Sequence, residues 1–375
     1  MTKRYHLLAA ISLLCCIVLL TNCKHDAPIS HGSSNDPDSL YIGRVYTSPT
    51  FPHQINNYLP IVSPTGNPMT YEGIQLGRML FYDSTLSLTK RVSCGTCHQQ
   101  QYAFGDNQRL STNVLGLTKR NTSTLINMGM NQRFFWDGRA ASIEGAVNDA
   151  LNHEMHPDFY ADINYLSSTP QYNYLFKKAF GRPGDVTEDK IEKAIAQFIR
   201  TLTSTDSRID QYYRGDIQLT QPEMDGLSAF YDQNLGDCFH CHFDRNYLTF
   251  ANQILMYQNN GLDSSATFTG FTDLGYGTIS GDYRDNGKFK IPTLRNAAVS
   301  GPYMHDGRIA TLSEVIDHYN DSLKNSPTIE IANLTHVHSG GLHLDATGKA
   351  NLLAFLNALT DTTFLHNPAL SNPFH

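Results

Sequence analysis

Cys94-Gly95-Thr96-Cys97-His98 and Cys238-Phe239-His240-Cys241-His242 decide how this chain is read. Each is a Cys-x-x-Cys-His pentapeptide with the chemistry for covalent c-type haem attachment. Two thiols add to the vinyl groups, and the following histidine ligates iron. A pair of disulfides, or a four-cysteine zinc site, would also use these cysteines. Neither explains a histidine directly after both second cysteines. The other three of the seven cysteines, Cys15, Cys16 and Cys23, lie in or just after an N-terminal apolar segment. No thiol then remains for a structural disulfide, and a chain of 375 residues can bury a large core without one.

The N-terminus reads as a targeting segment. Lys3 and Arg4 form a basic start, and the apolar run from Leu7 to Leu20 is shorter than the about twenty residues a spanning helix needs. Leu20-Thr21-Asn22-Cys23 resembles a bacterial lipoprotein cleavage site, although Asn22 stands where a small residue is usual. On this reading residues 1–22 are a signal peptide, and a lipidated Cys23 attaches the protein to a membrane. Ordinary cleavage, giving a soluble periplasmic protein, is the alternative. Residues 23–50 are rich in Ser, Asp, Pro and His and read as a polar tether.

The formal net charge of −7, with no basic block, argues against a nucleic-acid partner. The length suits two domains of about 150 residues each. Apolar spacing predicts a helix through Ile74, Leu76 and Phe81, before the first motif. A capped start at Thr187 predicts another, with Ile191, Ala194, Ile195, Phe198, Ile199 and Leu202 on one face. Thr220 to Tyr231, with Pro222 in its first turn, precedes the second motif. Leu352, Leu353, Phe355, Leu356 and Leu359 mark a final helix. The expected fold is mainly α, with two haem domains at 51–205 and 206–375 and long loops that the macrocycles help to cover.

Several stretches resemble the bacterial dihaem cytochrome c peroxidase family, which includes the MauG-type enzymes. They are Arg120-Asn121-Thr122, Phe135-Trp136-Asp137-Gly138-Arg139, Glu154-Met155, Phe289 to Asn296, Gly301 to Arg308, and Ala310-Thr311-Leu312. The resemblance implies two cytochrome-c-like domains. His98 would ligate the N-terminal, peroxidatic haem and His242 the C-terminal, electron-transfer haem. Trp136, the only tryptophan, falls where the family places an aromatic bridge between the haems. A core aromatic is the plainer reading. Asn121, Ser300 and Pro302 fall where the family binds an inter-domain calcium, through one side-chain oxygen and two backbone carbonyls.

Peroxide reduction needs an open iron position and a proton shuttle beside it. Glu154 matches the family's distal glutamate, and Glu144 is the fallback, because the stretch after Trp136 is shorter than usual. Two departures stand out. The family's distal histidine would fall near Asn113, but no histidine lies between His98 and His153, so this haem is expected to be five-coordinate at rest. The usual axial methionine of the C-terminal haem is replaced by Tyr319, as in the MauG-type enzymes. A phenolate would lower that haem's potential. His318 is adjacent, and Met304 and Met256 are alternative ligands.

Three functions compete. One is a cytochrome-c peroxidase that reduces hydrogen peroxide to water with electrons from a small periplasmic donor, a cytochrome c or cupredoxin. The second is a MauG-like oxidase that modifies a protein substrate. The third is a plain electron carrier. The peroxidase is preferred, and a second copy of the chain is a candidate partner, as in a homodimer.

Overall fold

The computed structural model describes residues 63–181, 185–242 and 256–374. The segments read as signal peptide and tether, with Cys15, Cys16 and Cys23, lie outside them. In chain order the helices are α1 (Tyr71–Tyr82), α2 (Cys94–Cys97), α3 (Ile143–Ala150), α4 (Phe159–Ser168), α5 (Pro170–Phe180), α6 (Glu188–Arg200), α7 (Arg208–Arg214), α8 (Gln221–Tyr231), α9 (Gly277–Ser280), α10 (Leu312–Asp321), α11 (Ile331–Ser339), α12 (Ala346–Ala358) and α13 (Thr362–Leu365). A π-helical turn, Leu151–Met155, follows α3 directly. Two small antiparallel ribbons complete the frame: β1 (Thr112–Asn113) with β2 (Gly116–Leu117), and β3 (Tyr257–Gln258) with β4 (Phe289–Lys290). Among the described residues no helix is long and apolar enough to cross a membrane.

The main helices begin at side-chain caps. Thr70 accepts from Gly73 N ahead of α1, Thr187 from Lys190 N ahead of α6, and Asp345 from Gly348 N ahead of α12. Thr220 and Glu223 form a reciprocal capping box on α8, with a proline in the first turn. Each Cys-x-x-Cys-His motif is then framed by a crossed helix pair. At one crossing a Cβ on Gly77 of α1 would fall 1.8 Å from Ala194 O of α6. At the other, a Cβ on Gly226 of α8 would fall 2.0 Å from Asn351 O of α12. Only glycine lets these backbones approach so closely.

The chain therefore repeats itself, which the sequence reading missed. Thr124-Leu125 and Thr293-Leu294 lead to Asn127 and Asn296, both left-handed with φ of 56°. Asn127 N donates to Leu202 O and Asn296 N to Leu359 O. The bridges Phe134–Ala140 and Tyr303–Ile309 follow, and then Ser142 and Thr311 cap α3 and α10. The halves exchange matching bonds: Asn121 N donates to His305 O at 2.8 Å, and Lys290 N to Trp136 O at 2.7 Å. One apolar cluster is built on α1, α3 and α6 around Phe81, Phe104 and Phe198, and a second on α8, α10 and α12 around Phe230 and Phe355. Phe364, Leu365 and Leu370 return from the end of the chain into the first cluster.

Candidate haem and peroxide site

Ser93 and Thr96 cap the single turn of α2, which carries Cys94 and Cys97. Both thiols are free. Burial pushes Cys94 up to about 12 and Cys97 up to about 11, so both are neutral. His98 Nδ1 lies 2.7 Å from Phe104 O. A carbonyl only accepts, so Nδ1 carries the proton and Nε2 keeps its lone pair for a metal. Burial lowers the pKa of this imidazole and keeps it neutral.

The second motif matches it. Cys238 and Cys241 are free, and burial pushes each up to about 12. Burial also pushes His242 down to about 4. Its Nδ1 is buried without a hydrogen-bond partner among the described residues. Two pairs of free, half-buried thiols, each followed by a neutral, half-buried imidazole, fit covalently attached haems with histidine on the iron.

Glu154 sits on the π-helical turn, and its carbonyl accepts from Val114 N of the β1–β2 ribbon at 3.3 Å. Irregular turns of this kind often mark functional positions. The carboxylate raises the pKa of both the Cys94 and Cys97 thiols, so it stands near the first motif. It makes no hydrogen bond or ion pair among the described residues. Burial raises its pKa above the ordinary carboxylate value, while Arg139 pulls the other way. Arg139 is itself held by Asp149 at 2.8 Å and Asp137 at 3.3 Å.

Glu144 differs in every respect. Its two oxygens accept from Arg200 Nη2 at 2.7 Å and Asn67 Nδ2 at 2.6 Å. Burial works to raise its pKa, but these bonds outweigh it and the net shift is downward. Asn113 lies on β1, between Thr112, whose carbonyl faces Cys97 Sγ, and Val114, which bonds Glu154 O. Its own Oδ1 accepts from Leu115 N at 2.8 Å.

Trp136 is half-buried at the crossover between the halves. Its Nε1 donates to Asn121 O at 2.8 Å. Asn121 is buried and donates through Nδ2 to Gln108 O and Arg109 O, while its Oδ1 accepts no hydrogen bond among the described residues. Ser300 donates through N and Oγ to Ala297 O. No hydrogen bond joins Asn121 to Ser300 or Pro302 among the described residues.

Tyr319 lies on α10 near the second motif, where Cys238 and Cys241 act on its phenol. Burial raises its pKa, and a hydrogen bond with the Asn260 side chain opposes that shift. Asn260 Nδ2 also donates to Met304 Sδ at 3.1 Å, and Asn260 O accepts from His318 Nε2 at 3.0 Å. Met256 is 1% exposed, and its carbonyl accepts from Ile291 N. Asn260 carries no signal in the sequence; Arg120, which stands in a matching stretch, bonds Asp137 at 2.6 Å and Asp273 at 2.7 Å across the halves. Lys290 was quoted only as part of a matching stretch; burial pushes its ammonium down to about 8.

Fold and site together define a mainly α, dihaem c-type cytochrome. Residues 71–218 match the family described as di-haem cytochrome c peroxidase. The methylamine utilization protein MauG of Methylophilus methylotrophus is 30% identical over 312 residues, covering 80% of this chain and 85% of that protein. The cytochrome c551 peroxidase of Nitrosomonas europaea is 33% identical over 289 residues, covering 74% and 81%. The crystal structure of a MauG-like protein associated with microbial copper homeostasis superposes with a TM-score of 0.74 at 31% identity, covering 87% of this chain and all of that one. The chain belongs to the di-haem cytochrome c peroxidase family, and it is an oxidoreductase with two c-type haems.

Proposed function

We propose that the protein is a dihaem peroxidase that reduces hydrogen peroxide to water with electrons from a small donor protein, a cytochrome c or cupredoxin. The observation that carries this reading is Glu154: a desolvated carboxylate, with no hydrogen bond or ion pair among the described residues, beside the first pair of haem-attaching thiols. The haems, attached through Cys94, Cys97, Cys238 and Cys241 and ligated by His98 and His242, supply the iron that binds peroxide and the electrons that reduce it. Glu154 takes the proton from the near peroxide oxygen and returns it to the far one, so that water leaves. Trp136 bridges the two haem units, with peroxide chemistry in residues 51–205 and electron entry in 206–375. Asn121 Oδ1 and the Ser300 and Pro302 carbonyls are the candidate calcium ligands. The protein works in the periplasm, with Cys23 as the lipid anchor and a second copy as a candidate partner.

Tyr319 favours a second reading, MauG-like oxidation of a protein substrate, because a phenolate suits an iron that stays oxidised. Steady-state peroxide consumption with a reduced c-type cytochrome separates the two. Turnover supports the peroxidase. No turnover, with peroxide-dependent oxidation of an added protein, supports the oxidase.

A further inference from the structure

Lys290 is a buried cation without an anion. The residue is 8% exposed, and its ammonium makes no hydrogen bond or ion pair among the described residues. Arg120, at the same crossover between the halves, has two carboxylates, Asp137 and Asp273. Lys290 has none, and its backbone is fixed from both sides. Lys290 N donates to Trp136 O at 2.7 Å, while β4 pairs with β3 so that Lys290 stands opposite Tyr257. The Lys290 N–H therefore points away from β3. The two residues form a non-hydrogen-bonded pair, whose side chains share one face of the ribbon. Tyr257 is 4% exposed, and its phenol oxygen is also buried without a partner among the described residues. The phenol packs against the loop after Trp136, where a Cβ on Gly138 would fall 1.8 Å from Tyr257 Oη. One face of this ribbon thus carries two buried polar groups that the described chain leaves unpaired. A buried ammonium is costly until it is paired, so this face is built to meet an anion. Burial alone, with no opposing carboxylate, pushes the ammonium down to about 8, which agrees with that reading.

We propose that Lys290 pairs with a propionate carboxylate of a haem at the junction of the two halves, and that its charge sets the potential of that haem. The proposal rests on the attached haems and not on which reaction they serve. A cation beside a haem disfavours the added positive charge of ferric iron and so raises the potential; its loss lowers the potential.

The experiment uses full-length protein matured with both haems, and spectroelectrochemical titration of each haem at neutral pH. Lys290→Met removes the charge at similar length, and Lys290→Arg keeps it. Lys290→Met is expected to retain two haems by pyridine haemochrome and to lower the potential of at least one, while Lys290→Arg stays near the wild type. A lysine that only fills space would change the melting temperature and leave both potentials alone. Potentials that stay or rise in Lys290→Met overturn the proposal, whatever happens to stability. If Lys290→Met matures without its haems, Lys290→Arg decides: two haems at wild-type potentials support the proposal, and haem loss there too overturns it.

Discussion

Glu154→Gln and Glu144→Gln should fail in opposite ways. Among the described residues Glu154 has no bond to lose, so its amide should fold with at least the wild-type melting temperature and full haem content. What it loses is the proton shuttle. General acid–base assistance contributes about 10²–10⁴-fold, which at about 1.36 kcal/mol per decade is about 3–5 kcal/mol of barrier. Glu144 holds Arg200, whose side chain is 2% exposed, and Asn67. Breaking a buried pair costs about 3–5 kcal/mol, and Glu144 is partly open to solvent, so the lower end applies. Its amide should therefore lower the melting temperature while leaving the turnover of folded protein near wild type. The pH profile adds a second check. Burial raises the Glu154 pKa, and the carboxylate must be ionised to take the first proton. Activity in kcat/KM should then fall as pH drops through that raised value, and this acid limb should vanish in Glu154→Gln. Steady-state peroxide reduction and thermal unfolding test both variants. Full turnover in Glu154→Gln, with lost turnover at unchanged stability in Glu144→Gln, would refute the assignment and make Glu144 the shuttle.

Denatured protein from a host with c-type maturation should give a pyridine haemochrome of two haems per chain; a count of one or none contradicts the two-motif reading. Ferric protein should show a high-spin signal and bind cyanide without prior reduction, and Asn113→His should convert that signal to low spin by placing an imidazole beside Glu154. Two low-spin haems in the resting wild type would sink this. Tyr319→Met should raise the potential of the C-terminal haem and create the near-infrared band of methionine-ligated ferric iron. That band already present in wild type would make Tyr319 a packing residue. Gly77→Ala and Gly226→Ala should each cost at least the about 1–3 kcal/mol typical of overpacking, because the added carbon meets backbone rather than a movable side chain. Unchanged denaturation midpoints would show that the crossings can open.

What could be read in advance was what local chemistry announces. The two pentapeptides carry their function in five consecutive residues. The Thr187 and Thr220 starts were visible because caps act within one turn, and both helices form as expected. Glu144 was ambiguous because its partners, Arg200 and Asn67, are distant in the chain, and residue type alone does not tell a tied carboxylate from a free one. The π-helical turn under Glu154 has no sequence signature. Helices α4, α5 and α11 went unread because their apolar faces are broken by exposed residues such as Tyr160 and Ile331.

The internal repeat gives a reason why two similar halves would do different work. Counted from the matching caps Ser142 and Thr311, Tyr319 of α10 falls at the step that Ala150 occupies at the end of α3. At this step the second half carries a long side chain with an oxygen, where the first half carries a methyl group that cannot reach a metal. Beyond Ala150 the first half does not continue as α-helix. It opens into the π-helical turn, and Glu154 rides on that extra width. The same frame has the proposed ligand in one half and, in the other, a methyl group followed by the proposed proton carrier. A chain built only to carry electrons would gain from saturating both irons and would have no use for a desolvated carboxylate that is unpaired among the described residues. The asymmetry costs stability at Glu154 and returns nothing structural, which favours a peroxide-handling first half served by an electron-handling second half over the carrier reading.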